Sequence, residues 1–186
     1  MALTPTVRWR AASCSALLLI VGALLSACGS DEANGDYVGG AVSLDCAPFA
    51  RELSGIRLSG AAADWWWQAD GRYTRGDRPS VGSVLVLRRS GRLPSGHVAV
   101  VSQVLGARQI LVTQANWVHH RVSQDQSVFD VSPRNDWSVV RVWWPPTRQL
   151  GITDYPAYGF IRADRAATHD QLIAATPRAI RLAASE

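Results

Sequence analysis

The sequence predicts an α+β domain in which N-terminal helices pack on an antiparallel β-sheet. Helix-type segments come first, before about residue 70, and strand-type segments follow from Gly82 onward. The strands are not separated by helices, which is typical of antiparallel sheets rather than of βαβ units. Apolar residues make up 47% of the 186 residues and charged residues 18%, which is ordinary for one globular domain with extensions.

The first 27 residues have the layout of an export signal. Arg8 and Arg10 precede an apolar stretch at residues 16–25. That stretch is too short to span a bilayer, since a spanning helix needs about 20 residues. We therefore expect residues 1–27 to be removed from the mature protein.

Residues 25–29 read Leu-Ser-Ala-Cys-Gly and resemble the lipobox of bacterial lipoproteins, in which the cysteine is acylated after cleavage. The resemblance predicts a lipid such as palmitate on Cys28, followed by a flexible tether over residues 28–40. It implies a protein anchored in the cell envelope and facing the periplasm. Gly29 is not the familiar aspartate signal for inner-membrane retention, which favours the outer membrane. Ordinary signal cleavage near Ala27 and an uncleaved anchor are the alternatives.

The charge of the chain excludes one class of partner. The net charge is +4, and the arginines are scattered, with only Arg88 and Arg89 adjacent. This pattern does not predict nucleic-acid binding, and it favours anionic wall or membrane surfaces. We expect a monomer.

Two helices are predicted ahead of the sheet. The first spans residues 46–53, where Ser43 or Asp45 can cap it, Pro48 suits a first turn and Gly55 can end it. The second spans residues 61–69.

The sheet is predicted from four β-type runs and a weaker fifth one. The runs lie at residues 83–87, 97–104, 108–113 and 139–143, with a short candidate at 128–131. The domain is expected to cover residues 41–162. The Ala-rich tail, residues 163–186, is expected to hold a helix at 168–175 that Pro177 interrupts.

Cys46 is the one cysteine that remains after removal of the signal and acylation of Cys28. It stands at the first turn of the predicted helix, where unpaired N–H groups and the helix dipole lower the pKa of a thiol. The alternative is an inert buried thiol.

His97 and Asn116 are the candidate partners of this thiol. His97 follows Pro94-Ser95-Gly96 and opens an apolar strand, so it is expected at the rim of the sheet. Asn116 ends the next strand, and antiparallel pairing would bring it back beside His97 to orient the ring. Taken alone, Asn116 could also be a simple turn residue.

These motifs together resemble one known family. Cys-Ala-Pro-Phe-Ala-Arg, Gly-Ser-Val-Leu-Val, Gly-His-Val-Ala-Val-Val and Ala-Asn-Trp stand in the order seen in CHAP domains, the cysteine, histidine-dependent amidohydrolases/peptidases. The resemblance covers about residues 41–144. It implies a papain-like core and cleavage of peptidoglycan, either as an N-acetylmuramoyl-L-alanine amidase or as a peptide-bond endopeptidase.

The resemblance also implies the roles of the site residues. Cys46 would be the nucleophile, His97 the general base and Asn116 the third member, with an acyl-enzyme intermediate. Many family members have an acidic residue or a histidine where this chain has Gln114, which can orient an imidazole but cannot ionise. No metal or other cofactor is predicted, because the histidines and carboxylates lack zinc-ligand spacing.

Aromatic residues and one arginine are the candidate substrate contacts. Trp65 and Trp66 belong to a run of three tryptophans that cannot all face the core of one helix, although core packing is the equal alternative. Trp117 is expected to shield the histidine from water. Arg51 either binds a substrate carboxylate or pairs with a neighbouring acidic residue, and the second role is favoured.

The sequence is also compatible with two other functions. One is an inactive or weak domain of the same fold that binds wall material or a partner, which Gln114 favours. The other is papain-like cleavage of amides outside peptidoglycan.

Overall fold

The structure is a computed structural model that describes Met1 and residues 34–185. The predicted signal peptide and the predicted acylation site Cys28 lie outside the described residues. Across the described part, no helix is long and apolar enough to cross a membrane.

The described chain folds into nine strands, three α-helices and two short 3₁₀ helices. The strands are β1 (Asn34–Tyr37), β2 (Thr74–Gly76), β3 (Val84–Leu87), β4 (His97–Gly106), β5 (Gln109–Ala115), β6 (Val122–Asp130), β7 (Val139–Trp144), β8 (Gln149–Leu150) and β9 (Tyr155–Arg162). The helices are α1 (Cys46–Ser54), α2 (Trp65–Gln68) and α3 (His169–Ala183), and the 3₁₀ helices are Ala62–Asp64 and Pro145–Thr147.

Six strands close into an antiparallel barrel. They pair in the order β6-β5-β4-β3-β9-β7, and β7 pairs back with β6. Strand β1 extends the sheet along β6, while β2 pairs with β9 and β8 pairs with β7. The α+β content and the antiparallel pairing agree with the prediction of helices on an antiparallel sheet, and closure of that sheet into a barrel was not predicted.

Alternation along the strands divides the core into two layers. In β3, Val84 and Val86 pack towards the helices, whereas Leu85 and Leu87 fill the barrel. Successive side chains of a strand point to opposite faces, so one strand serves both layers. The helix-side layer contains the buried face of α1, which is formed by Ala47, Phe49, Ala50 and Leu53.

Helix α1 has the predicted limits to within one residue. Asp45 stands at its N-cap position, and Gly55 ends it in the left-handed conformation with φ 76°. The Gly55 N–H donates to the Arg51 carbonyl, a bond that closes the last turn. The helix therefore starts with Cys46 as its first residue.

The C-terminal segment is part of the domain and not a separate tail. Helix α3 runs through Pro177 without a break, so the predicted interruption is wrong. A capping box between Thr168 and Gln171 starts the helix, which supplies the helix-side layer with Leu172 and Ala179. Burial of this apolar face accounts for the helix continuing past the proline.

Several other boundaries differ from the prediction. Residues 34–37 of the expected tether form β1, which pairs with β6. The predicted second helix is a 3₁₀ turn followed by the single turn of α2. Strand β6 is far longer than the short candidate at residues 128–131, and β9 was not predicted.

Candidate active site

His97 is the first residue of β4 and lies at the rim of the barrel. The preceding Gly96 has φ 74°, and a Cβ there would stand 2.6 Å from the Ala63 Cβ and 2.7 Å from the Leu87 carbonyl oxygen. Only glycine fits this close approach. The turn therefore fixes where β4 starts and where the imidazole stands.

Cys46 meets His97 from the helix side. The first turn of α1 packs against the start of β4, and the thiol lies close enough to the imidazole and to the backbone N–H of Val98 for both groups to stabilise a thiolate. Cys46 is the free cysteine of the described chain and is only partly buried. The structure thus brings together the two residues that the sequence pairs as nucleophile and base.

A buried chain of amides holds the imidazole on its other side. His97 Nε2 lies 2.8 Å from Gln114 Oε1, and Gln114 Nε2 donates to Gln126 Oε1 at 2.6 Å. Gln126 Nε2 in turn donates to the Trp143 carbonyl oxygen at 2.6 Å. The exposed fractions of His97, Gln114 and Gln126 are 4%, 2% and 0%, so water does not compete for these bonds. We call this chain the amide relay.

The amide relay fixes the tautomer of the histidine. A carbonyl oxygen can only accept, so Gln126 must turn its NH₂ group towards Trp143 and its oxygen towards Gln114. Gln114 must then turn its own oxygen towards His97. His97 Nε2 is consequently the protonated nitrogen, which leaves Nδ1 as the nitrogen that can exchange a proton with Cys46.

The pKa values of the two residues shift towards an ion pair. Burial raises the pKa of the Cys46 thiol, but the charge of His97, its hydrogen bond and the Val98 N–H outweigh this, and the net pKa lies below its usual value even though Asp45 opposes the shift. Burial lowers the pKa of His97, but the Cys46 thiolate and the hydrogen bonds of Cys46 and Gln114 raise it above its usual value. A thiolate next to an imidazolium is the reactive form of such a pair.

Asn116 does not hold the imidazole, contrary to the prediction. It has left-handed backbone geometry with φ 61°, which turns its side chain towards the helix start. Its Nδ2 donates to Asp45 Oδ1 at 3.3 Å, and its Oδ1 accepts from the His120 N–H at 3.1 Å. Gln114 contacts the His97 imidazole at the position that the sequence predicted for Asn116.

The predicted aromatic contacts divide into one residue at the site and two away from it. The Trp117 ring stands edge-on to His97, with 5.1 Å between centroids, and covers the imidazole. Trp65 is fully buried in the helix-side layer, so its predicted role in substrate binding is wrong. Trp66 stacks on Tyr158 at 5.7 Å on another surface, away from the residues that line the Cys46 cleft.

Arg51 lies on the wall of an open cleft at Cys46 of about 580 Å³. Its guanidinium Nε stands 3.5 Å from Glu52 Oε1, which is the structural pairing that the sequence favoured. Asp45 and Arg92 contribute the other charged groups of the lining. The cleft is therefore polar at the rim and carries charges of both signs.

Gln126 is the site residue that sequence reasoning missed. It lies in the middle of β6, a segment of mixed polar residues without apolar alternation, and only the end of this strand overlaps the predicted short strand at residues 128–131. Its contribution depends on pairing across β5 and β7, which no local signal reveals.

Part of the chain is similar to one known protein family. Residues 35–116 match the family model of the CHAP domain. The matched segment runs from β1 to the end of β5 and includes Cys46, His97 and Gln114. A search of the curated proteins found no match. CHAP domains are generally hydrolytic and act as amidases or peptidases, among them peptidoglycan hydrolases, and residues 35–116 are similar to this domain.

Proposed function

We propose that the protein is a peptidoglycan hydrolase that cleaves an amide bond through a thioester on Cys46. The observation that carries the proposal is the position of Cys46, at the start of α1, beside His97 in one open cleft, with both pKa values shifted towards the ion pair. An inert buried thiol would have its pKa raised by burial instead. The CHAP domain match supports an amide of the cell wall as the substrate.

The proposed reaction has two halves, and His97 serves in both. The Cys46 thiolate attacks the amide carbonyl carbon, the C–N bond breaks, and the His97 imidazolium gives its Nδ1 proton to the departing amine. Water then gives a proton to His97 and attacks the thioester. The C–S bond then breaks and the carboxylic acid product leaves, which restores the Cys46 thiolate and the His97 imidazolium.

The start of α1 supplies the group that stabilises the oxyanion. The first N–H groups of a helix have no acceptor within the helix, so the backbone N–H groups at Cys46 and Ala47 can donate to a negatively charged oxygen. The helix dipole adds a positive potential at the same place. Removal of one such donor typically costs about 3 kcal/mol of transition-state stabilisation.

The test is clearing of peptidoglycan by the mature protein. We expect wild-type protein to clear a peptidoglycan gel and Cys46→Ala protein to leave it intact, with circular dichroism confirming that the variant folds. Mass spectrometry of products from defined muropeptides then tells an amidase from an endopeptidase. Clearing by Cys46→Ala would contradict the proposal, as would exclusive cleavage of amides outside peptidoglycan.

One observation favours a second function. The imidazole is held by Gln114, which is neutral, whereas a carboxylate would stabilise an imidazolium more strongly. The second candidate is a catalytically weak or inactive domain that binds wall material. It predicts that wild-type and Cys46→Ala proteins sediment equally with insoluble peptidoglycan while neither releases soluble fragments.

We also propose that the domain is held at the cell envelope by a lipid on Cys28. The order of basic, apolar and Leu-Ser-Ala-Cys-Gly segments supports this. Two or more acyl chains hold a protein firmly at a membrane, since each buried methylene contributes about 0.8 kcal/mol. Radioactive palmitate should label the wild type and not Cys28→Ala, and label that persists in the variant would contradict the anchor.

A further inference from the structure

The cleft at Cys46 continues beyond His97 as a groove along β7 and β8. The space beside Cys46 shares His97 and Asn116 with a second space, and that second space shares Trp117 and Tyr155 with a third. We call the part beyond the imidazole the His-side groove. Its walls are largely apolar and include Trp117, Trp144, Leu150, Ile152 and Tyr155.

Arg92 is the residue that lines all three spaces. Its side chain is exposed, and among the described residues no hydrogen bond or ion pair engages it. The described residues that line the His-side groove include no Asp or Glu. The groove therefore presents an unneutralised cation next to apolar walls, which suits a ligand with a carboxylate and an apolar part.

The chemistry of the proposed reaction decides which part of the substrate lies there. The acyl carbon must bond to Cys46, while the departing nitrogen must receive its proton from His97. The substrate therefore lies with its acyl group at Cys46 and its amine group at His97. The portion that leaves as an amine continues past the imidazole into the His-side groove.

We propose that the His-side groove binds the amine portion of the substrate and that Arg92 recognises a carboxylate on that portion. The inference rests on the proposed function and adds the substrate class, an amide whose leaving side is a peptide with a free carboxylate close to the scissile bond. Arg92 acts by a charge-assisted hydrogen bond, and the aromatic walls pack against the peptide.

The experiment uses two muropeptides that differ in one group. On the leaving side of the bond that the wild type cuts, the nearest carboxyl group is free in one substrate and is a carboxamide in the other. We expect the wild type to prefer the free carboxylate by about tenfold in kcat/KM, chiefly through KM. Arg92→Gln should bring the ratio close to one, and Arg92→Lys should retain part of it.

Arg148→Gln is the matched control, since Arg148 lies between Pro145–Thr147 and β8 on the same side of the barrel and does not line the groove. Its ratio should equal that of the wild type. A change in Cys46 reactivity caused by loss of a nearby cation would affect both substrates alike, so the ratio isolates recognition of the carboxylate.

The outcomes separate this inference from the proposed function. A wild type that cuts both muropeptides with a ratio near one would overturn the Arg92 contact alone, as would an unchanged ratio in Arg92→Gln. If Arg148→Gln also brought the ratio close to one, the preference for the free carboxylate would come from the general positive charge of this surface. That result would also overturn the Arg92 contact. A wild type that cuts neither substrate would overturn the proposed function and the groove with it.

Discussion

Two histidines of this molecule are held by side chains, and they differ in what they face. His97 is buried between a thiol and the neutral Gln114. His169 is half-exposed at the start of α3, with its Nε2 3.0 Å from Asp125 Oδ2. Ser102 Oγ donates to the same carboxylate at 2.6 Å. By residue type alone, serine, aspartate and histidine would be the more familiar catalytic set.

The direction of the hydrogen bonds separates the two sites. In a catalytic triad the histidine stands between the nucleophile and the carboxylate. Here Asp125 stands between the serine and the histidine, so the Ser102 hydroxyl donates to a carboxylate and not to an imidazole. The His169 cluster ties the start of α3 to the barrel. At His97 the order is nucleophile, imidazole and orienting group, which is the order that chemistry requires.

The largest expected difference between the two sites is in activity. Cys46→Ala and His97→Ala should each lower the rate of peptidoglycan cleavage by at least about 10³-fold, because each removes a reacting group. His169→Ala should stay within about threefold of the wild type. The measurement is the release of soluble muropeptides at equal concentrations of folded protein. A large loss of activity in His169→Ala would contradict the distinction between the two sites.

Gln114→Leu tests the orienting group of the active site. We expect a loss of about 10²-fold in kcat, because the imidazole loses the bond that fixes its tautomer. The Gln114 hydrogen bond raises the pKa of His97. Its loss should therefore move the alkaline limb of the pH–rate profile to lower pH, which a purely structural defect would not do. An unchanged alkaline limb would refute this role of Gln114.

Gln126→Leu tests the far end of the amide relay. Without Gln126, the Gln114 amide can turn either way, and the Trp143 carbonyl loses its donor, so we expect a loss of about tenfold in kcat and about 1–3 kcal/mol in the free energy of unfolding. The control is Gln124→Leu on the same strand. Equal kinetic losses in the two variants would show that the orientation of the relay does not matter.

Asp125→Asn tests whether the His169 cluster has a structural role alone. The bonds of Asp125 to Ser102 and His169 are partly exposed, so we expect a loss of about 1 kcal/mol in the free energy of unfolding and no change in kcat. Urea denaturation gives the first quantity, and muropeptide release gives the second. A fall in kcat with unchanged stability would show that the His169 cluster takes part in catalysis.

Local signals made part of this site predictable. Cys46 follows a capping sequence and precedes a helix-forming segment, while Gly96 marks the start of an apolar strand at His97, and both placements are confirmed. Asn116 was misplaced because its left-handed conformation, which sequence does not reveal, directs the side chain to Asp45. Gln114 then takes the position at the ring.

Long-range pairing accounts for most of what the sequence could not predict. Closure of the barrel depends on β9, where Pro156 and Gly159 hide the strand pattern, and on its pairing with the distant β3. Gly159 has φ 127° and lies against Gly76 of β2, so this glycine reflects close backbone approach rather than a turn. The continuity of α3 through Pro177 likewise depends on burial against α1 and the barrel, which is a tertiary effect.

The ionisation of Cys46 by His97 is tested most directly by the pH dependence of thiol alkylation. Iodoacetamide reacts with the thiolate, so the rate should rise with pH through a pKa below that of an ordinary thiol in the wild type. In His97→Ala, burial without the imidazolium should move that pKa to a higher pH. An ordinary or raised pKa in the wild type, or the same profile in both proteins, would contradict the account.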